Sequence, residues 1–161
     1  MKIKALYIFL LLSCLLFSFI VFAQKNNNSI SFEQLQDSMQ LNSKSIIIKI
    51  YTDWCSYCKM QDKQISKGST LQRLLQEKYY FIELNAETKK EIIFNGKKYK
   101  FISNGLSGGI HELAFLLGNT NGELSYPSWV ILNDSYQIMH RFRGLLKNKE
   151  LRQIITDGSI Q

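Results

Sequence analysis

Cys55 and Cys58 stand three positions apart in Tyr51-Thr52-Asp53-Trp54-Cys55-Ser56-Tyr57-Cys58-Lys59, directly after an apolar run. Three chemistries are open to such a pair: thiol–disulfide exchange, half of a metal site, or a structural clip. A structural zinc site needs four ligands. Past residue 23 the other candidates are His111 and His140, both distant in sequence. His140 lies between Met139 and Arg141 in an expected strand and reads as an ordinary strand residue. A Cu(I) site asks for two thiolates only, so a metallochaperone stays open. A structural disulfide stays open too, as secretion favours oxidised cysteines. Its two-residue loop would constrain the unfolded chain very little.

Exchange chemistry needs a sulfur that carries negative charge readily. Unpaired N–H groups and the positive dipole end of a helix supply that field. The apolar, β-branched Ser45–Tyr51 (SIIIKIY) predicts a buried strand, and Lys59–Ser66 reads as helical up to Gly68. Cys55 therefore falls at the junction where the field acts. Cys58 lies one turn further in, within reach of a mixed disulfide at Cys55, and Trp54 is a flat apolar cover beside them. Pro127, the single proline of the chain, heads an expected strand. A cis X–Pro bond at that point would leave the preceding carbonyl free.

Further elements must position these residues. Ser31 and Gln34 fit a capping box, and Phe32, Leu35 and Met39 support a helix over about 32–41. Leu71, Leu74 and Leu75 keep helical spacing, and Tyr79–Leu84 reads as a second strand. Over 88–125, Asn95-Gly96 marks a hairpin flanked by Glu91-Ile-Ile-Phe and Lys98-Tyr-Lys-Phe. Gly108-Gly109 precede a short helix of about 110–118 that contains His111 and Glu112. Strands Ser128–Leu132 and Gln137–Phe142 follow, Gly144 ends the second, and Lys147–Thr156 closes as a helix. The order is α-β-α-β, a hairpin insert, α, then β-β-α, which predicts an α/β domain with a mixed sheet covered by helices. No repeat and no second domain is expected.

The chain has 161 residues and a net charge of +7. Residues 5–23 are almost unbroken apolar after Met-Lys-Ile-Lys, and small Ala23 precedes polar Gln24. This pattern is that of a secretory signal over 1–23, with a retained N-terminal anchor as the alternative because the apolar run nearly spans a bilayer. Cys14 sits inside the run and reads as a signal-peptide cysteine. Loss of Lys2 and Lys4 with the signal takes the charge to about +5. A 24–29 linker and a 30–157 domain would follow. The remaining lysines are spread through polar loops, with no basic helix or interleaved aromatic stripe, so nucleic acid is not expected as a partner.

Trp54-Cys55-Ser56-Tyr57-Cys58-Lys59, Tyr126-Pro127-Ser128 and the strand-strand-Gly144-helix end together resemble the thioredoxin fold of envelope proteins. The resemblance covers about 30–157 and is least typical over 88–125. The Asp-Trp-Cys-x-x-Cys-Lys start is similar to secreted thioredoxin-like proteins akin to the C-terminal domain of the membrane thiol:disulfide interchange protein. The resemblance implies a thiol–disulfide oxidoreductase without metal or organic cofactor, acting as a monomer in the periplasm or after secretion. It implies Cys55 as the attacking cysteine, Cys58 as the resolving one, and a cis-proline loop in which Tyr126 and Pro127 hold the partner's backbone. Its partners would be protein thiols or disulfides, with a membrane electron donor or acceptor if it is a reductase.

Two departures matter. The family often has a buried aspartate six residues before the first cysteine, where this chain has Lys49; a family lysine on the next strand is replaced by Glu83. The charge pair is reversed, and Glu83 or Asp62, four residues after Cys58, is a candidate to help deprotonate Cys58. The alternative is a plain Lys49–Glu83 ion pair with Asp62 solvated. The dipeptide Ser56-Tyr57 also lacks the His of strongly oxidising relatives, which favours reductase or isomerase work over oxidase. His111 and Glu112 are expected near the active face or at a helix start. The Lys97-Lys98-Tyr99-Lys100 hairpin of 88–102 is a candidate docking surface or a solvated hairpin. A redox-inert binding module with a structural disulfide is the main rival function.

Overall fold

A computed structural model describes residues 29–105 and 107–157. The expected signal or anchor of 1–23, Cys14, and all of the 24–29 linker but Ser29 lie outside the described residues. Helix α1, Phe32–Leu41, starts at the expected capping box: Ser31 Oγ accepts from the Gln34 N–H, and Gln34 Oε1 accepts from the Ser31 N–H. Strand β1, Ser45–Tyr51, follows. Helix α2, Ser56–Lys67, begins three residues before the expected Lys59, because Cys55 itself serves as the cap. Gly68 closes α2 through its N–H to the Ile65 carbonyl and opens α3, Ser69–Lys78. Strand β2, Tyr79–Asn85, pairs parallel to β1.

The 88–125 region departs most from expectation. Strands β3, Ile92–Phe94, and β4, Lys97–Tyr99, form a hairpin turned by Asn95 (φ 49°) and Gly96 (φ 72°). Two successive positive φ angles match the twist of the flanking strands, which is why Asn-Gly serves there. A second small hairpin joins β5, Phe101–Ser103, to β6, Gly109–His111. Helix α4 is therefore Glu112–Gly118, not 110–118: Ile110 and His111 belong to β6, and His111 caps the helix. Strands β7, Ser128–Leu132, and β8, Ile138–Arg143, precede α5, Asn148–Asp157.

The main sheet runs β2-β1-β7-β8, with β7 antiparallel to both neighbours. Alternation along β1 feeds two cores. Ile46, Ile48 and Ile50 pack with Leu35, Leu84, Leu113 and Val130 on one face. Ile47 packs with Ile65, Leu75, Phe81, Trp129 and Ile154 on the other. Both faces are covered by helices, so β1 is buried throughout its interior and reads as a continuous apolar run rather than an alternating one. Each fully buried Ile contributes about 1.5–3 kcal/mol. This packing fixes the C-terminal end of β1, from which the Cys55 turn emerges.

Candidate active site

The chain leaves β1 through Thr52, Asp53 and Trp54. The turn is closed by the Cys55 N–H donating to the Thr52 carbonyl at 3.2 Å. Cys55 then caps α2, and its Sγ accepts from the Cys58 N–H at 3.0 Å. Cys55 and Cys58 form a disulfide with Cα atoms 5.3 Å apart. When the pair is reduced, the same N–H and the helix dipole favour negative charge on the Cys55 sulfur. Cys55 is 4% exposed and lines a cleft, whereas Cys58 is 1% exposed and lies behind it.

That cleft, of about 480 Å³, is lined by Trp54, Cys55, Ser56, Tyr57, Leu124, Ser125 and Tyr126. Trp54 is largely exposed, yet it is held at two points. Its Nε1 donates to Glu87 Oε1 at 3.0 Å, and its ring meets Tyr126 edge to face. Burial pushes the Tyr126 hydroxyl above the ordinary phenol range, and nearby Glu87 adds to this, so the hydroxyl stays neutral and able to donate. The Tyr126–Pro127 bond is cis. The loop around it is tied down by Ser128 Oγ donating to the Ser125 carbonyl at 2.6 Å, Arg143 Nε donating to Ser125 Oγ at 3.1 Å, and the Gly144 N–H donating to the Pro127 carbonyl at 2.7 Å.

Lys49 lies on β1 with its side chain fully buried. Its ammonium bridges the carboxylates of Asp62 on α2 and Glu83 on β2. Asp62 is thus not left to solvent alone, as the simple Lys49–Glu83 pair would have it; Lys49 holds both acids. The reason is register: Lys49 pairs with Glu83 across the sheet, and its stem points to the face that α2 covers.

His111 does not line the cleft. It is fully buried, and its Nδ1 accepts from the Leu113 N–H at 3.3 Å. Its Nε2 therefore carries the proton and donates to the Lys90 carbonyl at 3.1 Å. Burial lowers its pKa, only partly offset by the Lys90 carbonyl and Glu112. His111 thus caps a helix start. His140 stacks against Phe142 in β8. Among the described residues no group of three or more His, Cys, Asp and Glu is placed to hold a metal ion. Glu87, Leu124 and Ser125 escape the sequence reading. Loops bring Leu124 and Ser125 to the cleft and Glu87 to the Trp54 indole, and no spacing rule relates them to Cys55.

The profile of the thioredoxin-like domain family matches residues 32–159. No curated protein matches the chain. A solved thioredoxin-fold protein from Helicobacter pylori superposes with a TM-score of 0.55 at 20% identity, covering 83% of this chain and 76% of that one. A disulphide isomerase from Xylella fastidiosa gives 0.45 at 14% identity, covering 81% and 84%. Thioredoxin f from spinach chloroplast gives 0.47 at 17%, covering 81% and 85%. Identities this low speak to the fold alone.

Proposed function

The chain belongs to the thioredoxin-like domain family, and from that premise we propose that it is an envelope thiol–disulfide oxidoreductase working on protein partners through Cys55 and Cys58. One observation carries this reading: the disulfide sits at the start of α2, with the Cys58 N–H aimed at Cys55 Sγ and Cys55 facing a cleft that Tyr126, the residue before the cis Pro127, also lines. In the reducing direction the Cys55 thiolate attacks a partner's disulfide. A Cys55–partner bond forms, and the partner's other sulfur leaves as a thiolate. Cys58 then loses its proton and attacks Cys55 Sγ. The mixed disulfide breaks, Cys55–Cys58 forms, and two electrons have passed to the partner. Oxidation of a dithiol is the same sequence reversed.

Tyr126 and Pro127 hold the partner's backbone in the cleft, with Trp54 as its aromatic wall. Reductase or isomerase work is favoured over oxidase, since Ser56-Tyr57 contains no His to stabilise the Cys55 thiolate further. The apolar 5–23 segment supports export to the periplasm or beyond, by signal or anchor. A reductase there has no cytosolic reductant at hand, so its donor would be a membrane electron-carrying protein.

The test is the reduction potential of the pair, equilibrated with glutathione. A value near about −270 mV supports a reductase that must be kept reduced, and one near about −120 mV makes the protein an oxidant. A value well below about −300 mV, without exchange, makes the disulfide structural and overturns the reading.

A further inference from the structure

Helix α4 has almost no polar face. Within Glu112–Gly118 (ELAFLLG), Leu113, Ala114 and Leu117 are buried in the core, yet Phe115 and Leu116 are roughly half exposed. A helix that is apolar all round is ordinarily covered all round. Phe115 and Leu116 instead line a pocket of about 530 Å³, larger than the cleft beside Cys55 and sharing no residue with it. Ile102 and Ile110, a directly opposed pair of the β5–β6 hairpin, also line it, as do Lys97, Lys98 and Tyr99 from β4. These walls are pinned together. The Glu112 N–H donates to the Lys100 carbonyl at 2.9 Å, and the Lys100 N–H donates to Glu112 Oε2 at 2.8 Å. Strand β6 lies so close to β5 that a Cβ at Gly109 would meet the Ile102 carbonyl oxygen at 2.3 Å.

Charge is concentrated here. Residues 88–118 hold five lysines and two glutamates, whereas the rest of 30–157 is nearly balanced. Glu91 neutralises Lys98 at 2.8 Å, and Glu112 is committed to the Lys100 N–H. The Lys97 ammonium lies over the Tyr99 ring, 5.3 Å from its centroid, and has no acid partner among the described residues. These features choose the occupant. A second copy would bring the same surplus of lysines against itself across a two-fold axis. The chain's own residues 1–28 carry Lys2, Lys4 and Lys25 and no acid. A peptide would bury backbone N–H and C=O groups against Ile102, Ile110, Phe115 and Leu116, whose side chains offer them no partner. An alkyl chain needs none, and a single negative head matches Lys97. We propose that the pocket between the β4–β6 insert and α4 binds a single-chain anionic amphiphile of the fatty-acid class, its alkyl chain on Ile102, Ile110, Phe115 and Leu116 and its head on Lys97. The volume lies within the range of small-ligand sites. This site stands apart from Cys55 and does not depend on the exchange reading.

The experiment is isothermal titration of the full chain with sodium dodecanoate below its micelle concentration. One-to-one binding is expected, weakening roughly fourfold for each methylene removed from the ligand. Dodecyltrimethylammonium, of the same length and opposite charge, is expected to bind far more weakly. Lys97→Met is expected to weaken dodecanoate binding roughly three- to fivefold, as loss of an exposed ion pair does, and Leu116→Glu to abolish it. Leu116 is half exposed, so Leu116→Glu is expected to fold and to keep the wild-type rate of glutathione exchange at Cys55; Ile102→Glu, also at a half-exposed position, repeats the test from β5. All variants retain residues 1–28, so adsorption to the apolar 5–23 segment cancels in the comparison. Equal affinity for the two amphiphiles, or unchanged dodecanoate binding in Lys97→Met and Leu116→Glu, overturns the proposal. Three other results overturn it by naming a different occupant. One is a wild-type dimer in sedimentation that Leu116→Glu splits. Another is binding to phosphatidylglycerol vesicles without one-to-one binding of dodecanoate. The third is a peptide of alternating leucine and glutamate that binds more tightly than dodecanoate and weakens in Lys97→Met.

Discussion

Trp54 and Tyr126 meet edge to face across the cleft beside Cys55, their ring centroids 5.8 Å apart and their planes at 86°. Glu87 holds the indole from the other side through Nε1. A largely exposed tryptophan is thereby fixed in one orientation before any partner arrives, which lowers the ordering cost of binding. Glu87→Ala frees the indole, and Tyr126→Ala removes an aromatic contact of about 0.5–1.5 kcal/mol. Each is expected to raise KM for a reducible protein disulfide such as insulin by roughly 3- to 10-fold, the same energy expressed as a ratio, with kcat little changed. Steady-state kinetics check this. An unchanged KM in both variants would remove the aromatic wall from partner binding.

A pH dependence follows from His111. Its folded pKa is depressed by burial, while its unfolded value is about 6.5. Its stabilising contribution is therefore present above about 6.5 and is lost as pH falls through the folded value. Structurally, protonation would put a donor on Nδ1 against the Leu113 N–H. Urea midpoints between pH 7.5 and 4.5 are expected to fall for the wild type and to fall less for His111→Asn, which keeps a capping side chain but cannot titrate. Glu33, whose hydrogen bond from Lys90 holds its pKa at about 2, begins to lose its contribution only as pH falls to its unfolded value of 4.5, the acid edge of the window, and does so equally in both proteins. Equal slopes in both proteins would show that the cap does not titrate.

Much of this was legible because local rules and tertiary needs agree. Ser31 and Gln34 form the capping box their spacing announces, and Asn95-Gly96 turns the hairpin that its dipeptide requires. SIIIKIY is apolar on both faces because the sheet is covered on both faces. Where expectation slipped, a side chain had taken a role that periodicity does not report. Cys55 became the cap of α2 and moved its start, and His111 became the cap of α4 and ended β6. Lys49 and Glu83 were readable as a pair only through the family resemblance, and Asp62 as third member depends on how α2 lies across the sheet. Glu87 reaches Trp54, and Leu124 the cleft, from loops, where sequence separation says nothing about distance.

Gly118 tests how firmly the cleft is backed. A Cβ there would meet Leu124 Cδ1 at 2.5 Å and Ile50 Cδ1 at 2.7 Å. Leu124 lines the cleft and Ile50 belongs to the core of β1, so the new methyl pushes on both. Gly118→Ala is expected to cost about 1–3 kcal/mol as overpacking, read as a lower urea midpoint. Because Leu124 must yield, KM for the protein disulfide should rise as well. A variant as stable as wild type with unchanged kinetics would mean that Leu124 repacks freely and does not shape the site.

The division of labour between the cysteines follows from their placement. Cys55 faces the cleft and receives the Cys58 N–H on its sulfur, while Cys58 is buried behind it. The attacking sulfur must be reachable and must carry negative charge, and Cys55 meets both needs. Cys58→Ser is expected to keep a reactive Cys55 and to accumulate mixed disulfides with protein substrates, since nothing resolves them. Cys55→Ser is expected to form no such adducts, and turnover should fall to background in both variants. Non-reducing electrophoresis with mass mapping of the trapped cysteine checks this. Adducts on Cys58 in the Cys55→Ser protein, at the rate seen for Cys55 in the other variant, would mean that burial does not separate the two thiols and that the order of attack is not set by the fold.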